Sequence, residues 1–457
     1  MDMVTGANDL VRLAQKFYVS GFGRGEEFHA GKGAIIASAD GNYATDVWGN
    51  RLFDTESCAS ACYLGFGLPA IMRAVRDEMD RLPSTTPLFV PTAPLLRLAE
   101  KIASLSPGDL TYSVFGTNGT DATEGAVKMA RQYWKLMGKG GKYKVLHRVP
   151  GDYHGMSFAM VSASGHTFRR APYEPLMGGF ISFNAPHCYR CPYEKTYPDC
   201  ALLCARELER TIRFEDPETI ACVITENTNT GLGIVPPPPG YMEIIRDTCT
   251  RYDVLLIADE IITGIAKTGA WFESEKSGIV PDMLCIGKSI SAGVGALALT
   301  HIREELGRAL VECSNVHHGF TYGGLSYLAA AGLAGLRYVE SHDLLARARE
   351  IEQIMLSRLR PLGEQSTIIG DVRTSGALQG IELVKDRRTK ELFENPREVA
   401  ALINKVGREH GVLLNCQFPH YGNIITMYLP LTSTDGELAM VCDAIEDAVG
   451  QVEKAYL

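Results

Sequence analysis

Nowhere in the 457 residues is there an apolar run long enough to span a bilayer, which excludes a membrane-embedded chain as the first reading. The opening residues, MDMVTGANDLVRLAQKF, have no basic start followed by an apolar core, so they do not read as a secretory signal. Repeats and low-complexity tracts are absent. Positive charge is in deficit: 45 Lys and Arg against 54 Asp and Glu leave a formal charge of −9, and no tail concentrates it. That argues against nucleic acid or an anionic membrane as the main partner. Arginine is missing altogether after Arg408. Cysteine is not scarce. Twelve are scattered along the chain, and without a secretion signal they read as reduced thiols in a cytoplasmic protein. A composition of 46% hydrophobic and 22% charged residues is that of a globular protein. The length exceeds what one core usually holds, so two domains are expected.

Residues 43–54, YATDVWGNRLFD, alternate around a Gly-Asn turn and read as a hairpin. From about residue 68 to 330, helical stretches such as AIMRAVRDEMDRL and APLLRLAEKIASL alternate with short apolar strands, YKVLHRV, ACVITE, VLLIAD and MLCI. Such alternation predicts an α/β unit whose sheet is mainly parallel and buried under crossover helices. Beyond residue 330 a long helical stretch (326–347, then 351–359) precedes strands near TIIGDVRTSG, LQGIELV and NIITMYL, the pattern of a smaller α+β domain. The expected division is an N-terminal segment, 1–67, joining the small domain; a large domain, 68–330; and a C-terminal small domain, 331–457.

Ligands of open parallel sheets bind beyond the carboxyl ends of the strands. Four strand ends here carry suggestive residues. In VFGTNGTDATEGAVKMARQYW, a strand meets Gly116, Asn118, Gly119 and Thr120, and a helix begins at about Asp121. The exposed N–H groups and positive helix end suit an anion, although an ordinary capped turn has the same look. In VLLIADEIITG, Asp259 and Glu260 follow five apolar residues. A carboxylate there needs a metal, a ribose, a protonated ring nitrogen or a plain structural cation. In GDYHGMSFAM, Tyr153 can cover a flat ligand or merely pack, with His154 beside it. In PDMLCIGKSISAGVGALAL, Lys288 stands among Gly287, Ser289, Ala292 and Gly293. It fits a phosphate counter-ion, a Schiff-base amine or a snorkelling surface lysine. Taken together, a phosphate cradle, a ring stacker, a carboxylate and a lysine at one sheet edge fit pyridoxal 5'-phosphate (PLP).

With those residues in view, the chain resembles the class III (subgroup II, ω-) PLP-dependent aminotransferases over nearly its whole length. VLLIADEIITGIAKTGAWFESEKSGIVPDMLCIGKSISAG, residues 254–293, is similar to the family signature, in which a strand-end Asp precedes the Schiff-base lysine by about thirty residues. NGTDATEGAVKMAR resembles the phosphate segment, DYHG the stacking loop, and HHGFTYGG (317–324) the segment that reaches the neighbouring subunit's cofactor. The resemblance implies fold type I, the aspartate-aminotransferase-like fold, and a homodimer, or a tetramer built from it, with shared sites. Lys288 would form the Schiff base and move protons, and Asp259 would pair with the pyridinium nitrogen. Gly119, Thr120 and the Thr321 of a second copy would hold the phosphate. Tyr153 would stack on the ring with His154 beside it, and Glu226, followed by Asn227 where proline is common, would lie near the site. The implied activity is transfer of the amino group of a small primary amine or ω-amino acid to a keto acid. No nucleic acid or membrane partner is implied.

Two departures bear on the substrate. Relatives using α-keto acids often place an arginine near the strand GNIITMYLPLT, which here reads Thr426, Met427 and Tyr428. Arg24 or Lys32 of GFGRGEEFHAGKG is an alternative source of charge. The absence also leaves open a lyase, of ammonia- or phospho-lyase type, or an amino-acid or lactam epimerase on the same cofactor. A non-catalytic protein is disfavoured by intact Lys288 and Asp259. Ala266 and Lys267 stand where many transaminases have F/G then R. Ala59 and Ser60 of CASACYLGFG are small at the expected pocket mouth. Cys188, Cys191, Cys200 and Cys204 have the order C-x2-C-x8-C-x3-C, but the spacing is short for a zinc module and no metal is expected.

Overall fold

The computed structural model describes residues 6–21, 34–84, 87, 89–313, 316–417 and 422–457. Arg24 and Lys32 lie outside the described residues. The central sheet has seven strands: β1 (Leu110–Gly116), β2 (Lys144–Val149), β3 (Phe180–Asn184), β4 (Ile220–Glu226), β5 (Leu255–Asp259), β6 (Met283–Ile286) and β7 (Ala298–Arg303). Their spatial order is β1-β7-β6-β5-β4-β2-β3. Neighbours from β3 through β6 run parallel, whereas β7 is antiparallel to both β6 and β1. The sheet is thus mainly parallel, as expected, with β7 as its one antiparallel strand, because the connection 287–297 is too short for a crossover helix and returns the chain directly. Neither β3 nor β7 stood out in the sequence.

Alternation along β5 divides its side chains between the two faces of the sheet. Leu255 and Ile257 pack with Ala122, Ala126, Ala130 and Trp134 of the helix Gly119–Leu136. Leu256 joins the cluster on the other side of the sheet, with Leu208 and Ile245. Burying each such side chain contributes about 1.5–3 kcal/mol, so the register of β5 is held firmly. Asp259 has the parity of Leu255 and Ile257, and Glu260 the opposite.

A second, four-stranded sheet joins the strands Ile36–Asp40, Tyr43–Asp46 and Arg51–Asp54 to Val412–Leu413 from near the other end of the chain. A third, antiparallel sheet contains Ile369–Ser375, Leu378–Leu383, Ile424–Tyr428 and Asn415–Gln417. One apolar cluster runs without a break from Leu98 and Ile286 beside the central sheet to Ile381, Met427 and Val452 at the third sheet. The long helical stretch is interrupted. One helix ends at Ser341, Asp343 adopts φ 47°, and the next helix is Leu344–Gln365. The polar Ser-His-Asp step permits this break, with the His342 ring stacked on Tyr338 at 3.9 Å.

Candidate active site

Five strands, β1, β2, β4, β5 and β6, deliver their carboxyl ends to one edge of the central sheet. A cavity of about 1240 Å³ opens there, lined by Gly119, Thr120, Tyr153, His154, Glu226, Asp259 and Lys288. Parallel register explains the meeting: Glu226 pairs with Asp259 across β4 and β5, and Asp259 with Cys285, three residues before Lys288. Of the residues given a cofactor role by the resemblance, Thr321 alone is missing from this wall; it is exposed on a turn elsewhere.

The turn before the helix Gly119–Leu136 is built by its own side chains. Asn118 accepts from Asp121 N at 3.1 Å, a cap worth about 1 kcal/mol. Asp121 in turn accepts from Thr117 N at 2.6 Å. A side chain at Gly119 would put Cβ 3.0 Å from Ile261, which also lines the cavity. The Thr120 hydroxyl accepts from Met156 N at 3.4 Å, tying the helix start to the loop that carries Tyr153.

That loop rests on a fully buried ion pair. Arg148 donates to Asp152 through Nε at 2.8 Å and Nη2 at 2.7 Å. Glu226 accepts from Tyr153 N at 2.9 Å and from the Thr230 amide and hydroxyl. Burial, followed by the charges of Asp152 and Asp259, pushes the Glu226 carboxyl up to about 7. His154 Nδ1 lies 2.7 Å from Asp259 Oδ2, with Asp152 3.8 Å from its other nitrogen. Burial disfavours the imidazolium, but the hydrogen bond and charge of Asp259, with Asp152 and Glu226, outweigh it and raise its pKa. Asp259 is thus a buried carboxylate held by His154 and by Ile261 N at 3.1 Å. Glu260 turns away and binds the 273–274 turn, accepting from Glu273 N, Ser274 N and the Ser274 hydroxyl. Burial pushes it, too, up to about 7.

Lys288 occupies left-handed backbone, φ 44°, where a non-glycine residue stores roughly 1–3 kcal/mol of strain. The connection is pinned on both sides. Gly293 has φ 77°, and a Cβ there would fall 2.5 Å from Cys62 Sγ. Lys267, 1% exposed, donates Nζ to Ser289 Oγ at 2.5 Å and to the Ser60 carbonyl at 3.2 Å. Burial lowers the Lys288 pKa, Arg169 adds to this, and Asp259, Glu226 and Glu56 oppose it. A lysine eased toward its neutral form is a better nucleophile.

The donor set suits the phosphate, ring nitrogen and aldehyde of PLP: a helix N-terminus with Thr hydroxyls, a carboxylate, and a primary amine beside an aromatic ring. Matching the known families, the profile "Aminotransferase class-III" covers residues 28–449. The chain belongs to the class III aminotransferases. It is 31% identical to the adenosylmethionine-8-amino-7-oxononanoate aminotransferase of Methanocaldococcus jannaschii, over 94% of this chain and 95% of the relative. It is also 31% identical to the taurine–pyruvate aminotransferase of Bilophila wadsworthia, over 93% of each. Among solved structures, a PLP-bound amine transaminase from an uncultivated Pseudomonas species superposes with a TM-score of 0.88 at 31% identity, over 95% of this chain and 98% of that one. The fold of this aminotransferase is accordingly fold type I, and PLP is its cofactor.

Other expectations fare variously in this aminotransferase. Ala59 lines the cavity, but Ser60 is fully buried behind it, and Ser57, Cys58, Ala59 and Ser60 all have positive φ. Tyr428 lines the cavity, whereas Thr426 and Met427 do not. Among the described residues no group of three or more side chains, Cys188, Cys191, Cys200 and Cys204 included, is arranged to hold a metal. No helix among the described residues is long and apolar enough to cross a membrane. Arg169 was missed. It lines the cavity beside Tyr153, though nothing in GHTFRRA distinguishes it from a surface arginine.

Proposed function

We propose that this aminotransferase moves the amino group of a small primary amine or ω-amino acid to a keto acid, with Lys288 as the Schiff-base lysine. The observation that carries the reading is the convergence of Lys288, Asp259, Tyr153 and the turn at Gly119 and Thr120 on one cavity. When bound, PLP supplies an electron-poor ring that withdraws the electron pair from the carbon bearing nitrogen. With PLP bound, Lys288 Nζ would hold the cofactor aldehyde and, once freed by substrate, would be placed to take a proton from the carbon bearing nitrogen and return one. Asp259, oriented by His154, would favour a positive charge at the ring nitrogen. Gly119 and Thr120 would receive the phosphate, and Tyr153 would cover the ring. Glu226 holds the Tyr153 backbone in place. Residues 68–330 form the cofactor-holding unit in this scheme. Thr321, exposed and outside its own cavity, serves the phosphate of a second copy in a homodimer.

Incubating the holoenzyme with an amine panel, with and without pyruvate, tests this. Amine alone should convert the cofactor stoichiometrically and stop, and pyruvate should restore turnover. Continuous turnover without any acceptor would instead mark a lyase or epimerase.

A further inference from the structure

We propose that Arg169 is the anion-binding residue of this cavity and selects amines and acceptors that carry a carboxylate or sulfonate. This rests on the aminotransferase reading and adds a substrate class to it. The Arg169 guanidinium carbon lies 4.8 Å from the centroid of the Tyr153 ring and 5.0 Å from that of Phe168. Aromatic rings attract the guanidinium through its charge and fix its attitude, while its N–H donors project in its own plane as a fork suited to two oxygens. Arg169, Tyr153, Phe168 and Lys288 line the same cavity.

The charges make Arg169 the place for an anion. The acidic side chains Asp259 and Glu226 are already engaged, by His154 and Ile261 N and by Thr230 and Tyr153 N respectively. Arg169 is only partly exposed, and burial lowers its pKa while Tyr153 and Tyr428 oppose that shift. Tyr428, like Arg169, lines the cavity that holds Lys288. Among the described residues the wall's other arginine is Arg397, which is exposed and is not among the main charges acting on Lys288. It provides the control.

Calorimetry on the holoenzyme with propionate, and separately with ethanesulfonate, tests the assignment without turnover. R169Q should weaken binding of at least one anion about tenfold to a hundredfold, the loss of a charge-assisted fork, and R169K should recover part of it. R397Q should stay within about threefold. Binding unchanged in R169Q, an equal loss in R397Q, or no binding of either anion to the wild type would overturn the proposal. Retained cofactor absorbance and the R169K protein separate these outcomes from misfolding. Single-turnover conversion of β-alanine and n-propylamine then separates the two levels. If the wild type converts neither, the proposed small-amine or ω-amino-acid donor fails, while the calorimetry still decides Arg169. If it converts them, R169Q should raise half-saturation at least about tenfold for β-alanine and less than about threefold for n-propylamine. Equal changes for both would count against the assignment.

Discussion

Asp259 and Glu382 are both buried carboxylates on strands, and they differ in what surrounds them. Glu382, on the strand Leu378–Leu383, is enclosed by protein. Its oxygens lie 2.7 Å from Arg373 Nη1 and 2.5 Å from Arg190 Nε, and Asp371 adds a second carboxylate 3.3 Å from Arg373. Arg373 also donates to the carbonyls of Gly233 and Leu232. Every partner is another part of the chain, so this cluster joins the third sheet to segments 187–190 and 232–233. Asp259 has His154 on one oxygen and a backbone N–H on the other, and it faces a cavity. Buried charge by itself therefore does not mark a site. A carboxylate oriented on one side and open to a cavity on the other does, whereas one saturated by arginines is scaffold.

Four substitutions would break or sharpen that contrast. Lys288→Ala should lower transamination at least about 10³-fold and abolish the visible absorbance of the protein–cofactor Schiff base, and an unchanged spectrum would refute its role. Glu382→Ala should cost roughly 3–5 kcal/mol in denaturant unfolding, because it leaves two arginines without their shared counter-ion. The protein that remains folded should keep its turnover, and a cost under about 1 kcal/mol would dissolve the contrast. Asp259→Asn should do the reverse, reducing turnover about 10²–10³-fold while the unfolding free energy stays within about 1 kcal/mol.

The smallest effect is expected at Glu260, adjacent to Asp259 but facing the scaffold. Its folded pKa of about 7 exceeds the ordinary 4.5, so between those values the folded chain keeps a proton that the unfolded chain releases. The associated stability is fully present below about pH 4.5 and is lost as pH rises through about 7, by up to roughly 3 kcal/mol. Glu226 titrates over the same range. Glu260→Gln should accordingly remove about half of the fall in thermal midpoint between pH 5 and 7. An unaltered slope would show that Glu260 does not titrate there.

Local pattern made much of this legible. Apolar runs of strand length announced β2, β4, β5 and β6, and the residues at or just past their ends, Tyr153, Glu226, Asp259 and Lys288, reach the cavity wall. The turn at Asn118 and Gly119 was visible because its cap lies within four residues of chain. β7 was not legible, since ALTHIR resembles any short apolar stretch and its direction follows from the brevity of 287–297. Parity could have separated Asp259 from Glu260, but only once the helix Gly119–Leu136 was known to cover the Leu255 and Ile257 face.

Sequence alone determined which chemistry stands at the strand ends, because strand, turn and helix start are each specified by a few neighbouring residues. Tertiary structure alone decided the rest. It set His154 on Asp259, turned Lys288 to φ 44° between Cys62 and Lys267, buried Ser60, and brought Arg169 and Tyr428 into the cavity. Those outcomes join residues distant in the chain, and they exist only once the core has packed and set the separations between its elements.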